Sequence, residues 1–114
     1  MSTTVKNRVQ LVGNLGNTPE MKSFDNNKLA RFAVATSEYK KNKNGEFITE
    51  THWHNVVAWG KLAEKAEKLF EKGSQVLIDG KLVTRNYNDK DGNKRYSTEI
   101  VANELVLMNK KQVQ

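Results

Sequence analysis

Trp53 and Trp59 stand an even number of residues apart in THWHNVVAW, a run with the alternation of a β-strand, so both indoles project from one face. Thr49, Thr51, Asn55 and Val57 share that face, a mixed set unlike a uniform aliphatic core. Between Gln75 and Tyr87, Val76, Ile78, Gly80 and Leu82 form the plausible core phase. The opposite phase reads Leu77, Asp79, Lys81, Val83, Arg85 and Tyr87. Between Leu29 and Tyr39, Arg31 shares a phase with Tyr39 and lies opposite Phe32 and Val34. Aromatic and cationic side chains therefore recur on the phase that the core does not need. Flat rings stack on any exposed base, at about 1–3 kcal/mol per base, and Lys or Arg track phosphates. A duplex keeps its bases stacked inside, so such a surface suits unpaired strands. The same indoles could instead fill a small barrel, and periodicity alone does not choose between the two.

The same strand carries a second possible chemistry. Glu50, His52 and His54 alternate, so their side chains face one way, as three ligands of a hydrolytic zinc or iron site could. They could equally be polar positions on a sheet or a subunit contact. The chain has no other histidine and no cysteine to complete such a site. No metal or other cofactor is expected. GxSxG, HExxH and phosphate-binding Gly-rich patterns are missing from the sequence, and no enzymatic activity is expected.

The elements that would carry these residues follow from periodicity. Val5, Asn7, Val9 and Leu11 alternate with Lys6, Arg8 and Gln10 as a half-buried strand, followed by a turn-rich stretch over 13–19. Further strands are expected over Leu29–Tyr39 and Phe47–Trp59, joined by a polar, basic and mobile loop over 40–45. Leu62, Ala63, Ala66, Leu69 and Phe70 then recur at helical spacing, with Gly60 a weak N-cap and Gly73 placed to end the helix in a left-handed conformation. Two more strands, about Gln75–Tyr87 and Tyr96–Ala102, flank an Asp-Gly hairpin signal at Asp91-Gly92. Three strands, a helix and two strands is the element order of an OB-fold: all-β with one helix, a five-stranded Greek-key barrel with the helix between the third and fourth strands. A short α+β sandwich shares these ingredients.

The 114 residues suit a single small domain. Nineteen Lys and Arg against 13 Asp and Glu leave a net charge of +6, a sign that fits a polyanion partner without requiring one. The absence of cysteine excludes disulfides, thiolate-bound zinc and thiol nucleophiles. No apolar run is long enough to suggest a membrane span, and Met1–Lys6 lack the apolar stretch of a secretory signal, so a cytoplasmic location is expected.

Taken as blocks, VQLVGNLGNTPE at 9–20, FAVATSEY at 32–39, WHNVVAWGKLAE at 53–64 and KGSQVLIDGKLVTRNYNDKDGNKRY at 72–96 resemble the bacterial single-stranded DNA-binding protein family in order and spacing. The resemblance covers residues 4–104. It implies an OB-fold domain over 1–106, assembly as a homotetramer and wrapping of single-stranded DNA over aromatic positions in replication, recombination and repair, in the bacterial cytoplasm at the nucleoid. The stacking positions map to Trp53, Trp59 and Tyr87, and approximately to Tyr39. His54 matches a family histidine associated with the subunit interface. Phosphate contacts are expected from Arg31, Lys61, Lys81, Arg85 and the loop residues Lys40, Lys41 and Lys43. The family's flexible linker and acidic tip have no counterpart in the basic end over 107–114, so recruitment through such a tip is not expected. Another OB-fold role, as a primosomal accessory or an RNA-binding module, and a small hydrolase built on Glu50, His52 and His54 are the alternatives.

Overall fold

The apolar phases seen in the sequence meet in one interior. Phe32 and Val34, Val56 and Ala58, Val76 and Ile78, and Ile100, Ala102 and Leu105 are all buried. In the computed structural model, which describes residues 6–109, they come from β3 (Asn27–Lys41), β4 (Phe47–Trp59), β5 (Gln75–Asn88) and β6 (Lys94–Asn109), and β1 (Val9–Leu15) adds Leu15. The pairing order β1-β5-β6-β4-β3, with β1 also pairing β3, closes five strands into a ring. All these pairs are antiparallel except β4 with β6, which run parallel at Val56–Ile100 and Val57–Val101. That connectivity is the expected OB-fold. Closure needs close backbone approach: a Cβ at Gly13 would collide with the Ala35 carbonyl, and one at Gly80 with the Val101 carbonyl.

A sixth strand, β2 (Glu20–Phe24), was not expected. EMKSF has no clear apolar alternation, but it folds back on β3 through Asp25 and Asn26, at φ 43° and 69°. Two successive positive φ values suit a tight hairpin, and Asp and Asn tolerate them. The first strand also begins later than expected. Val5 lies outside the described residues, and Asn7 precedes β1. Its side chain substitutes for a strand pair, donating to the Leu82 carbonyl at 2.9 Å and accepting from the Leu82 N–H at 3.0 Å.

The helix α1 (Lys61–Leu69) lies against β3, β4 and β6 and buries Ala63 and Ala66. Gly60 makes no side-chain cap. The expected left-handed ending at Gly73 is not what stops the helix. Phe70 turns extended, and its ring packs edge-on against Phe32 at 5.7 Å. Gly73 does have φ 92°, but in the next turn, where its N–H donates to the Leu15 carbonyl.

Beyond the ring, β3–β4 and β5–β6 continue as two long hairpins. Leu82, expected in the core, is exposed because β1 pairs β5 no further than Gly80, leaving no opposing layer. The loop expected over 40–45 is shorter. Lys40 and Lys41 belong to β3, and Asn42 Oδ1 accepts the Asn44 and Glu46 N–H groups at 2.9 Å each to form the turn. β6 runs from Lys94 to Asn109, longer at both ends than the expected Tyr96–Ala102, and 110–114 lie outside the described residues. No described helix is long and apolar enough to cross a membrane.

Candidate nucleic-acid interface

Register decides which side chains share a face. Across β3 and β4, Arg31, Ala33, Ala35, Ser37, Tyr39 and Lys41 stand opposite Val57, Asn55, Trp53, Thr51, Thr49 and Phe47. Trp59, opposite Leu29, continues this phase. The parallel pair Val57–Val101 carries the same face onto β6, where Ser97 and Glu99 follow, and then onto β5 with Lys81, Val83, Arg85 and Tyr87. Trp53, Trp59, Tyr39, Tyr87, Arg31, Lys41, Lys81 and Arg85 thus occupy one continuous sheet surface.

The rings on this surface are not core. Tyr39 is 78% exposed, Trp53 61%, Tyr87 52% and Trp59 37%. That answers the alternative in which the two indoles fill the barrel. Trp53 rests on Gly16, where any Cβ would run into its six-membered ring. Trp59 packs against Phe24 of the unexpected strand at 6.1 Å and a 47° tilt. Phe24 and Phe47 also belong to this face and were missed by sequence reasoning. The even spacing of Phe47 from Trp53 was a usable signal for one; Phe24 needed the hidden hairpin.

The cations divide. Arg31 and Lys81 are exposed on the aromatic face, and Lys41 lies over the Phe47 ring at 5.9 Å. Lys43 sits in the β3–β4 turn and Lys61 opens α1 directly after Trp59-Gly60. Arg85 Nε is 2.8 Å from Glu99 Oε1. Lys40 has the opposite phase to Tyr39 and is held on the other face by Glu50 at 2.7 Å, with Glu38 at 3.9 Å.

That other face is where Glu50, His52 and His54 lie, and each has a partner that is not a metal. The Lys40 hydrogen bond and charge hold the Glu50 carboxyl below its ordinary pKa. His52 Nε2 is 3.4 Å from Glu38 Oε2, and His54 Nε2 is 3.0 Å from Thr36 Oγ1. Burial, and then the neighbouring His52, push the His54 imidazole below its ordinary pKa. Among the described residues no three His, Asp or Glu side chains gather as a ligand set.

Where β4 and β6 diverge below their short parallel pairing, the surface opens into a cleft of about 320 Å³ lined by Arg31, Asn55, Ser97 and Glu99 among others. A neighbouring pocket of about 230 Å³ is bounded by Trp53, Leu82 and Thr98. Of the candidate residues, Arg31 lines the first hollow and Trp53 the second, while the other rings and cations lie on the same sheet face around them.

Comparison with known proteins agrees with this geometry. Single-stranded DNA-binding protein 1 of Chlorobaculum tepidum is 42% identical over 107 residues, covering 92% of this chain and 66% of that protein. Single-stranded DNA-binding protein 1 of Xylella fastidiosa is 44% identical over 108 residues, covering 93% of this chain and 79% of that one. The solved structure "Plasmodium falciparum SSB complex with ssDNA" is similar with TM-score 0.85 and 27% identity, over 96% of this chain and 100% of that chain. Residues 6–108 match the single-strand binding protein family, and the chain belongs to that family.

Proposed function

We propose that this chain binds single-stranded DNA without sequence preference and protects it during replication, recombination and repair, as a non-catalytic protein of the bacterial cytoplasm and nucleoid. The observation that carries this reading is the single sheet face bearing four exposed rings, Tyr39, Trp53, Trp59 and Tyr87, beside Arg31, Lys41 and Lys81. Bases stack on the rings, while these cations, with Lys43, Lys61 and Arg85, meet the phosphates. Lys40 reaches phosphate only by leaving Glu50, which makes it the weakest contributor of the group. Competition between oligo-dT, an RNA of equal length and duplex DNA tests the reading. Preference for unpaired DNA supports it; equal or tighter RNA binding favours an RNA module instead.

Self-association into a homotetramer belongs to the same proposal. Val12, Leu77 and Val106 line up across β1, β5 and β6, and with Met108 they leave an apolar strip on the outer face. Val9–Leu11 of β1 pair only with β5, which leaves an edge on their other side for a second copy. His54 is proposed as a further subunit contact. A solution mass near four times the 13.0 kDa chain is expected. Leu77→Lys should lower that mass; a monomer at all concentrations would rule the assembly out.

A further inference from the structure

Stacking and phosphate contacts leave one group of the cleft unused. Glu99 of β6 is 6% exposed, the one carboxylate among the described buried residues. Arg85 Nε lies 2.8 Å from its Oε1, yet that oxygen accepts no hydrogen bond, and the Arg85 side chain stays half exposed. A buried acceptor without a donor costs free energy, so its retention in a surface cleft points to a donor that arrives with the ligand.

The charge of the cleft says what kind of donor. Its charged lining is Arg31 against Glu20 and Glu99, and Arg85 pairs with Glu99 at 2.8 Å, so the cleft carries no excess positive charge in a protein of net charge +6. Once Arg85 leaves, the two carboxylates outnumber Arg31 and disfavour a phosphate there. A nucleobase edge carries N–H groups, no net charge, and suits a carboxylate acceptor. Asn55 and Ser97 add neutral polar groups, and about 320 Å³ is ample for one base.

We propose that Glu99 accepts a hydrogen bond from the N–H edge of a nucleobase seated in this cleft. Arg85 turns from Glu99 to a phosphate as the strand enters, which uncovers the carboxylate. Binding then carries a base-edge component in addition to stacking, with bases directed into the cleft and phosphates outward. The inference rests on the single-stranded DNA reading and sharpens it.

N3-methylthymidine separates the two. It keeps the stacking ring and the phosphate of thymidine and removes the base's only N–H. The wild-type protein should bind a short oligo-N3-methylthymidine about fivefold or more weakly than oligo-dT, the loss of one charge-assisted hydrogen bond. In Glu99→Gln that ratio should fall to about twofold or less, because the amide can donate to thymine oxygens instead. Glu99→Asp keeps the charge but withdraws the oxygens by one methylene, and should also shrink the ratio if the glutamine variant does not fold. A steric clash with the added methyl would persist in both variants, so an unchanged ratio overturns the proposal. Equal affinity of the wild type for both oligomers overturns it alone; binding to neither overturns the single-stranded DNA reading with it.

Discussion

Trp53 shows how far the position of an exposed ring is set by what lies beneath it. Its ring sits on Gly16, and a Cβ there would meet the far end of the indole rather than backbone. Gly16→Ala should therefore shift the ring and weaken oligo-dT binding while leaving the melting temperature nearly unchanged; an unaltered affinity would show that the ring's seat is unimportant. Trp53→Ala should cost about 1–3 kcal/mol of binding, the worth of one stack, and an unchanged affinity would remove Trp53 from the interface. The His54 imidazole, depressed by burial and by His52, makes a different prediction. The unfolded chain takes up this proton first on acidification. His54 therefore favours folding fully above pH 6.5, and this contribution is lost as the pH falls from there toward the lower folded-state value. Melting temperatures at about pH 7.5 and about pH 5 should differ less in His54→Gln than in the wild type. Equal differences would place the acid sensitivity elsewhere. The shared face of Trp53, Trp59, Tyr39 and Tyr87 was legible in the sequence because β-strand alternation assigns a phase to each, while their exposure needed the structure. Glu99 was not: in YSTEIVA a glutamate reads as one more exposed polar position, and its burial beside the β4–β6 pairing appears only in the fold.

At the scale of elements, the strands with a clear apolar run or alternation and a marked turn were the readable ones. β4 spans Phe47–Trp59 as expected, since its apolar end and its turn at Asn42–Glu46 bound it clearly. β2 escaped because a short edge strand needs little apolar patterning, and its Asp25-Asn26 turn lacks the glycine that marks most such hairpins. Leu82 kept the core phase of β5 but outran the strand meant to cover it. Replacing Asp25-Asn26 by Asn-Gly should relieve the two positive φ values and raise stability by about 0.5–1 kcal/mol in urea unfolding. No gain would mean that the native pair already fits without strain. Gly80→Ala should act oppositely, forcing β5 from the Val101 carbonyl and costing more than about 2 kcal/mol. Unchanged stability would contradict the close β5–β6 approach.

For the whole molecule, two hairpins extending from a closed ring prolong one sheet face, which bears the four exposed rings beside Arg31, Lys41, Lys81 and Arg85. Net charge suggested a polyanion, but it could not say where the polyanion lies, because Lys40 is tied to Glu50 and Arg85 stands over Glu99. Stacking of unpaired DNA on this face is tested by titration with oligo-dT, following tryptophan fluorescence at several salt concentrations with duplex DNA as competitor. Strong quenching is expected, because both tryptophans lie on the face, together with affinity that falls as salt rises and weak competition by duplex. Unquenched tryptophans, or duplex competing as well as single strands, would contradict it.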